Sequence, residues 1–489
     1  MKFLFPFFLI FSIFGEPREI KEAYNFYEMK EYRKCINRIL SYNKYFKNTK
    51  ALALLTVSYT RLGEHDSSVY YYELLKKRDG KMLNFEGASF YAGFSYEKLG
   101  HPDKAIFAYY RAVYGEKEQD AALLRLSSLL GLKSEILKRL KNTNRLGQLF
   151  RRGIIYLFVP QGRLYELGKE FIRGFQMSFK GKFEVLNEED FYSINDVNNI
   201  CCAVGPLSSR YMFYLSQQLK VAIPVFSPVA VYVPPETLNF IYTPYRIYQL
   251  EIEKLVDYLI NQLGYVYFGL IFYKNAEGYL WKRLFTRELE KNYGKVLFEI
   301  EYGDSTLPDS VFETVDTTLL DGIFVPGGDK RALFMASRAR VMFPEVPVFG
   351  LSLWKGFFEA GAFNLENFMF SSLPLTFRDI IKLNNKKEEF KNKYYELYNY
   401  IPTYIAMRGY DCGLILNKVV KGKRDISPAE ILLALKDLKY FQGLSSDWVF
   451  TEDIPLEIYY LKRGKLYKKE VGNEKRETGE ESFQEGGIE

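Results

Sequence analysis

The residues able to do nucleophilic or metal chemistry are unevenly distributed along this chain. Its two histidines, His65 and His101, both precede residue 151, and none occurs in 151–489. A serine or cysteine nucleophile usually needs an imidazole base, so the second part lacks the components of a Ser-His-Asp or Cys-His enzyme and of a histidine metal site. The adjacent acids Glu188 and Glu189 stand in a polar stretch and are expected to be solvated. With no Walker-type loop and no Gly-x-Gly-x-x-Gly pattern, the sequence predicts no catalysis, no metal and no cofactor.

The four cysteines likewise do not indicate a metal site. The chain contains Cys35, Cys201, Cys202 and Cys412. Their spacing is not that of a zinc site. The adjacent pair lies inside the apolar run 200–204, where neighbouring side chains of a strand face opposite sides. Buried thiols that form no disulfide are therefore expected.

The first residues have the pattern of an export signal. Lys2 is followed by an apolar run from Phe3 to Phe14, which is too short to span a bilayer and fits a signal-peptide core. We expect residues 1–15 to be a signal peptide and the protein to be periplasmic or otherwise extracytoplasmic, with an uncleaved N-terminal anchor as the alternative. No cysteine stands near Gly15, so a lipid-modified N-terminus is not expected, and no later segment has the character of a membrane span.

Length and charge limit the remaining possibilities. A chain of 489 residues is long enough for two or three domains. Its net charge of +7 is mild, and no cluster of lysines and arginines alternates with aromatic side chains, so a nucleic-acid partner is not predicted. Residues 470–489 are rich in glutamate, glycine and lysine and are expected to be disordered.

Residues 20–145 repeat a helical-hairpin pattern. Two copies share a tyrosine, a Leu-Gly pair and an aspartate in the same order; they contain Tyr59, Leu62, Gly63, Asp66 and Val69, and Tyr96, Leu99, Gly100, Asp103 and Ile106. Gly63 and Gly100 are expected to adopt positive φ where the first helix of each hairpin ends, and Pro102 to begin the next helix. A weaker copy around Lys30 lacks the glycine, and a capping helix is expected at 121–141. The pattern resembles the tetratricopeptide repeat, whose period is ~34 residues and whose arrays usually bind proteins. A spacer or dimerisation element is the alternative.

From residue 151 onward, apolar β-rich runs alternate with amphipathic stretches. Strands are expected at 153–159, 200–204, 221–226, 268–273, 295–300, 322–325 and 346–350. Helices are expected at 165–179, 209–219, 247–263, 278–293 and 331–342. Continuous apolar strands separated by helices favour parallel sheets covered on both faces, and this many units require two α/β lobes. Ligands of such folds lie beyond the carboxyl ends of the strands.

Several segments at these ends resemble, in the same order, the type I periplasmic binding proteins of the branched-chain amino-acid-binding kind. They are 203–209, 221–228, 269–273, 321–327, 346–350, 400–411 and 443–450. The resemblance implies a periplasmic-binding-protein-like domain at 151–469 with two lobes joined by three crossing strands. The first lobe would hold about 151–266 and 372–450, and the second about 267–371 and 451–469.

The same resemblance implies a ligand site between the lobes. Ser208 and Ser209 would open a helix facing a carboxylate, which is also an ordinary capping position, and Arg210 follows them. Ala230 and Val231 occupy the place where the family binds through backbone and a threonine hydroxyl. Other side chains expected to line the cleft are Tyr165, Tyr273, Tyr279 and Trp354; each could equally belong to the core.

Two departures from the family pattern bear on the ligand. The threonine is missing at Val231, and the acid that holds an ammonium group is replaced by the run Leu351 to Trp354. A buried ammonium group without a counter-charge is costly, so unless Glu277 or Glu359 substitutes, an aromatic, less polar or anionic ligand fits better than a free amino acid.

Two functions remain open. The first is a non-catalytic solute-binding protein that recognises a small ligand for ABC-type uptake or sensing, with its helical repeats docking a transporter permease. The second follows from a repeat array ahead of a binding-protein-like domain, an architecture similar to that of penicillin-binding protein activators. It implies a periplasmic scaffold that regulates a peptidoglycan synthase through protein contacts.

Overall fold

The fold divides into two compact units. The first holds Met1–Arg151 with Ser427–Ala434, and the second holds Arg152–Ile426 with Leu435–Glu489. The computed structural model describes residues 16–78, 80–189, 199–207, 223–229, 240–303, 312, 319–355, 368–374, 377–423, 425–462 and 465–469. The predicted signal peptide, the predicted tail and the predicted helix at 209–219 lie outside these residues.

The first unit consists of successive helices, as the repeat pattern predicts. They are α1 (Arg18–Glu28), α2 (Tyr32–Leu40), α3 (Thr49–Arg61), α4 (His65–Arg78), α5 (Ala88–Lys98), α6 (Pro102–Ala112), α7 (Gln119–Leu130) and α8 (Ser134–Asn142). Each helix packs on the next, and α3 is buried along most of its length. Pro102 is the first residue of α6, where its missing N–H costs no helical hydrogen bond.

The hairpin turns share one backbone geometry. Gly63 and Gly100 have φ of 78° and 75°, and Lys30 adopts φ of 60° at the corresponding position without being glycine. In all three turns the next residue donates its N–H to a carbonyl five residues back, as His101 does to Tyr96 at 2.8 Å. This bond satisfies a carbonyl that the helix end leaves unpaired.

We expect substitutions at these turns to have opposite effects. Gly100→Ala should lower the free energy of unfolding by about 1 kcal/mol, because a Cβ is strained at positive φ although the space around it is open. Lys30→Gly should raise it by a similar amount, whereas the control Lys30→Ala should give no gain. Urea unfolding of the three variants tests this, and equal stabilities of Lys30→Gly and Lys30→Ala would contradict it.

The predicted single helix at 121–141 is wrong. Two helices, α7 and α8, occupy this stretch and are separated at Gly131, which has φ of 67°. Leu132 then donates its N–H to the carbonyl of Ser127 at 3.1 Å, the same helix-ending bond as in the hairpin turns. A glycine inside an apolar-periodic run therefore ends a helix here, although the pattern continues beyond it.

The second unit begins with a five-stranded parallel sheet. Its strands are β1 (Ile154–Val159), β2 (Phe183–Asn187), β3 (Ile200–Val204), β4 (Val225–Phe226) and β5 (Ile241–Tyr242), in the order β2-β1-β3-β4-β5. All neighbours in this sheet pair in parallel, and β3 is buried at every position. Burial on both faces explains why these strands read as continuous apolar runs.

A second sheet of seven strands follows. Its strands are β6 (Tyr267–Tyr273), β7 (Lys295–Tyr302), β8 (Gly322–Phe324), β9 (Val348–Leu351), β10 (Phe368–Ser372), β13 (Glu457–Lys462) and β14 (Lys465–Lys469). In the order β14-β13-β10-β9-β8-β6-β7, the strands from β10 to β7 form a parallel block. Strand β13 pairs antiparallel with β10 and with β14. A separate antiparallel pair consists of β11 (Tyr440–Gln442) and β12 (Asp447–Val449). The two α/β sheets confirm the predicted fold class, whereas β2, β5, β10, β11 and β14 were not predicted.

The remaining helices surround these sheets. They are α9 (Tyr165–Ser178), α10 (Arg246–Asp257), α11 (Ala276–Lys291), α12 (Lys330–Met342), α13 (Phe377–Tyr398) and α14 (Tyr404–Val420). Helix α15 (Pro428–Leu438) begins within Ser427–Ala434, which belongs to the first unit. A short π-helical turn, Tyr258–Gln262, extends α10. Within the ranges described, no helix combines the length and apolar content needed to cross a membrane.

The position of α10 differs from the expected lobe boundary. Its buried residues Ile247, Ile252 and Leu255 share one hydrophobic core with Phe268 of β6 and Phe285 of α11. The helix therefore belongs to the lobe of the second sheet, and the first passage between lobes comes directly after β5 rather than near residue 266. The chain returns to helices beside the first sheet after β10 and enters the second sheet again at β13.

The first lobe is held together by two helices far apart in sequence. An added Cβ at Gly409 would lie 2.2 Å from the carbonyl oxygen of Phe171, and one at Gly174 would lie 1.9 Å from that of Ala406. Such distances require glycine, because any side chain would push the backbones of α9 and α14 apart. Gly413 meets the Phe175 carbonyl four residues along both helices, so α9 and α14 run in the same direction and their amino ends lie together.

Candidate ligand-binding site

The amino ends of several helices meet where the parallel strands end. Helix α9 follows the carboxyl end of β1, and α14 runs beside it, so both begin at that edge of the first sheet. Helices α10 and α11 begin after β5 and β6, at the corresponding edges of the two sheets. Parallel α/β sheets bind ligands at this edge, which is where the sequence placed the site.

Part of the predicted site cannot be compared with the structure. Ser208, Ser209, Arg210, Ala230 and Val231 lie outside the described residues, and their roles stay predictions. Immediately before them, Gly205 has φ of 99° and is followed by a cis peptide bond to Pro206.

The predicted tyrosines reach the strand-end edges, but the structure does not bring them into one contact group. Tyr165 begins α9 and is 52% exposed. Tyr273 ends β6, and its hydroxyl accepts a hydrogen bond from Arg331 Nη1 at 2.9 Å. Tyr279 in α11 is 44% exposed and donates its hydroxyl to Glu301 at 2.8 Å. Exposed rings of this kind suit a ligand surface, and their ligand role stays a prediction.

Trp354 has a different environment from the other candidates. It is 1% exposed, its ring packs on Phe368 with centroids 5.3 Å apart, and its Nε1 donates to the carbonyl of Val325 at 2.9 Å. The indole thus fills the core of the second lobe and has its polar atom satisfied. These contacts are those of a core residue, which was the alternative to lining the cleft.

Sequence reasoning missed the most deeply buried cation at the junction of the lobes. Arg408, in the second turn of α14, is 1% exposed. Its guanidinium donates to the hydroxyls of Tyr404 and Ser446 and lies over the rings of Tyr404 and Tyr245, 4.6 Å and 5.7 Å from their centroids. Arg408 therefore links α14 of the first lobe to the residue that precedes α10 in the second.

Glu277, the acid considered as a substitute for the missing counter-charge, lies at this junction. It stands in the first turn of α11 and accepts the hydroxyl of Tyr245. Burial, followed by the charge of Glu277, raises the pKa of Tyr245, so this hydroxyl stays a donor at neutral pH. Tyr245 thus contacts a cation on one side and a carboxylate on the other.

A second buried carboxylate lies further along α10. Glu251 has no exposed surface and accepts the N–H of Ser352 at 3.0 Å, while its other carboxylate oxygen has no partner among the described residues. Burial raises its pKa to about 8, against the opposing effects of the Ser352 hydrogen bond and the charge of Lys355. Lys355 itself forms a nearly buried 2.7 Å ion pair with Asp447 of β12.

Asp411 connects α14 to the turn before β12. It accepts the N–H groups of Leu444 and Ser445 at 2.7 and 2.8 Å and the hydroxyl of Ser445. Burial raises its pKa to about 6 despite these bonds. The turn before β12 is therefore held by a buried acid three residues after Arg408.

The structure tests the predictions made for Glu188 and for the four cysteines. Glu188 is not solvated, because it is 2% exposed and its carboxylate accepts the N–H of Leu207. It follows β2, which the sequence did not reveal, so the prediction for this acid was wrong. All four cysteines are buried and unbridged, as predicted.

A cavity of about 520 Å³ lies elsewhere in the second unit. Its lining includes Ile154, Phe183, Cys201 and Asp425. These residues stand at or near the amino ends of β1, β2 and β3, opposite to the edge where the junction residues lie. The cavity is therefore separate from the predicted cleft.

Comparison with known proteins finds similar solved structures but no similar sequence family. No family model matches the sequence, and no curated protein matches it. A Rhodospirillum rubrum structure titled as a branched-chain amino acid ABC transporter covers 65% of this chain and 100% of its own, with 18% identity and a TM-score of 0.46. The leucine-binding protein LivK of Thermotoga maritima covers 65% of this chain and 98% of its own, with 14% identity and a TM-score of 0.40.

A longer similarity includes the helical unit. Full-length LpoA of Haemophilus influenzae covers 92% of this chain and 88% of its own, at 12% identity and a TM-score of 0.42. The chain is thus similar to ABC-transporter binding proteins over about two thirds of its length and to LpoA over most of it. All three TM-scores are below 0.5, a likeness that assigns neither a site nor a ligand.

Proposed function

We propose that this protein is an exported, non-catalytic binding protein whose second unit closes two lobes on a small organic molecule. The observation that carries the proposal is the junction at the strand ends, where Arg408 of one lobe lies against Tyr245 of the other and Tyr245 bonds to Glu277. Pockets between α/β lobes with a few convergent polar groups are typical ligand sites. The lack of histidine from 151 to 489 supports binding rather than catalysis.

Thermal unfolding of the full chain tests this function. A ligand at a hundred times its dissociation constant should stabilise the folded state by about 2.7 kcal/mol, which appears as a raised Tm. The screen contains amino acids, aromatic acids, their amides and short peptides. Glu290→Gln, at an exposed position of α11, serves as a control that should respond like the unmodified protein. A screen in which no compound raises Tm would contradict small-molecule binding.

A second function is favoured by the helical unit. Stacked helical hairpins such as α1 to α6 form extended surfaces that commonly bind proteins, and a simple solute carrier does not require them. This supports a periplasmic scaffold that contacts a peptidoglycan synthase, or the docking of a transporter permease. Co-purification with a peptidoglycan synthase, combined with no response to any compound of the screen, would favour the scaffold.

A further inference from the structure

Arg408 is a deeply buried cation at the junction of the lobes. Among the described residues it forms no ion pair, and its hydrogen-bond partners are the uncharged hydroxyls of Tyr404 and Ser446. The nearby acid Asp411 turns its oxygens to the N–H groups of Leu444 and Ser445. A buried charge is costly unless an opposite charge or strong hydrogen bonds compensate it, so this guanidinium is suited to bind an anion.

The geometry of the guanidinium specifies the kind of anion. Within the described part of the chain, its Nε has no hydrogen-bond partner and Nη2 donates to Tyr404 alone. Nε and Nη2 form one edge of the group, and two parallel N–H donors match the two oxygens of a carboxylate. The Tyr404 hydroxyl occupies Nη2, and its side chain is 47% exposed, so a rotation of this side chain frees the Nη2 donor beside the unpartnered Nε.

An apolar surface lies at the same end of the lobe. Tyr165 and Leu167 at the start of α9 are 52% and 39% exposed, and Ile401 just before α14 is 71% exposed. Together with Tyr404 they form exposed apolar surface at the paired amino ends of α9 and α14. Such surface suits the apolar body of a ligand whose charged end reaches Arg408.

Three described acids at the junction, Glu251, Glu277 and Asp411, are poorly placed to hold an ammonium group. Glu277 already accepts the Tyr245 hydroxyl, and Asp411 is occupied by the turn before β12. Glu251 is fully buried and has a pKa of about 8, so it is largely uncharged at neutral pH. A ligand with a positive charge would therefore lack a strong counter-charge among these groups.

Resting on the proposed function, we propose that Arg408 is the anion-recognition residue of the interlobe site and that the ligand is an organic carboxylate with an apolar body and no ammonium group. The carboxylate takes Nε and Nη2 and displaces the Tyr404 hydroxyl. The apolar body lies against Tyr404 and the exposed surface of α9.

Matched ligands test the chemistry on the unmodified full chain. Calorimetry compares phenylacetate, indole-3-acetate and 4-methylpentanoate with their amides, with phenethylamine and with phenylalanine. The best carboxylate should bind about 10- to 150-fold more tightly than its amide, as expected for hydrogen bonds to a charged group. Equal binding of acid and amide, or tighter binding of the amine or amino acid, overturns the inference while small-molecule binding stands. If no carboxylate of the panel binds while another compound of the thermal screen raises Tm, the inference fails and the proposed function stands.

Two variants test the residues. Arg408→Lys keeps the charge but loses the two-donor edge and should weaken carboxylate binding by about tenfold or more. Tyr404→Phe removes the competing hydroxyl and should tighten it by roughly two- to tenfold, which a purely structural tyrosine would not do. Arg173→Lys, which changes another arginine stacked on a tyrosine ring, should leave affinity within about twofold. Unchanged binding in both test variants overturns the assignment, and if Arg408→Lys fails to fold, Tyr404→Phe and the acid–amide pairs decide.

Discussion

Replacing Glu251 by glutamine is expected to stabilise this protein at pH 7 by about 3 kcal/mol. The carboxyl group is fully buried and accepts the N–H of Ser352, directly after β9, and burial raises its pKa from 4.5 to about 8. At pH 7 the folded protein retains a proton that the unfolded chain has released. Glutamine has nearly the same shape and no charge, so folding no longer requires uptake of this proton.

The sign of the pH dependence follows from the same shift. The contribution of protonated Glu251 to the free energy of unfolding is fully present below pH 4.5 and is lost as the pH rises to about 8. Burial outweighs the hydrogen bonds from Ser352 and the charge of Lys355, which lower this pKa, while the charge of Asp447 raises it. Urea unfolding between pH 5 and 8.5 should therefore show a growing advantage of Glu251→Gln over the unmodified protein.

Glu253→Gln provides the control on the same helix. Glu253 is only half-buried, accepts a hydrogen bond from Gln249 at 2.9 Å, and as glutamine still offers an acceptor oxygen. Its stability should follow that of the unmodified protein within about 0.5 kcal/mol at each pH. A constant difference between Glu251→Gln and the unmodified protein across the pH range would show that Glu251 does not titrate as argued.

Gly409→Ala is expected to cost about 3 kcal/mol or more of unfolding free energy. The new Cβ would meet the backbone carbonyl of Phe171 at 2.2 Å, and a backbone atom moves aside only if α9 and α14 separate. The gain in helix propensity from alanine, about 1 kcal/mol, is too small to offset this. Gly174→Ala should behave alike, because it places a Cβ 1.9 Å from the carbonyl of Ala406.

Gln176→Ala on α9 is the matched control. Gln176 is exposed two residues from Gly174, and its shortening introduces no new contact. Its melting temperature should stay near that of the unmodified protein, whereas both glycine variants should melt many degrees lower. A Gly409→Ala protein with an unchanged Tm would contradict the close approach of α9 and α14.

The predictions that succeeded depended on patterns that burial imposes. Continuous apolar runs identified β1, β3 and β6 because parallel strands are buried on both faces. The strand β2 was missed because its pattern is half exposed, and β14 because a lysine-rich edge strand has no apolar run. The turns at Gly63 and Gly100 were predicted correctly from their glycines. Lys30 adopts the same conformation without a glycine to indicate it.

The site was less predictable because it is formed by residues distant in sequence. The tyrosines were proposed from their positions after strands, and their ligand role stays a prediction, whereas Arg408 and Glu251 lie inside helices. A charged residue within an apolar helical pattern was the available signal, since such a residue is rarely buried without a partner or a role. Its partners, Tyr245 and Ser446 for Arg408, become neighbours only through the passages between the lobes.

The pairing of α9 with α14 also fixes an order of assembly. The two helices are separated by more than 200 residues that contain most of the second sheet. During synthesis, the face of α9 that packs on α14 stays exposed until α14 is made. The strands from β6 to β10 are made before α14 and can already pair with one another. Long-range pairings of this kind form slowly and leave apolar surface exposed in the meantime. Completion of the first lobe is therefore a late event, and a chain that ends before α14 leaves α9 without the helix that packs against Gly174.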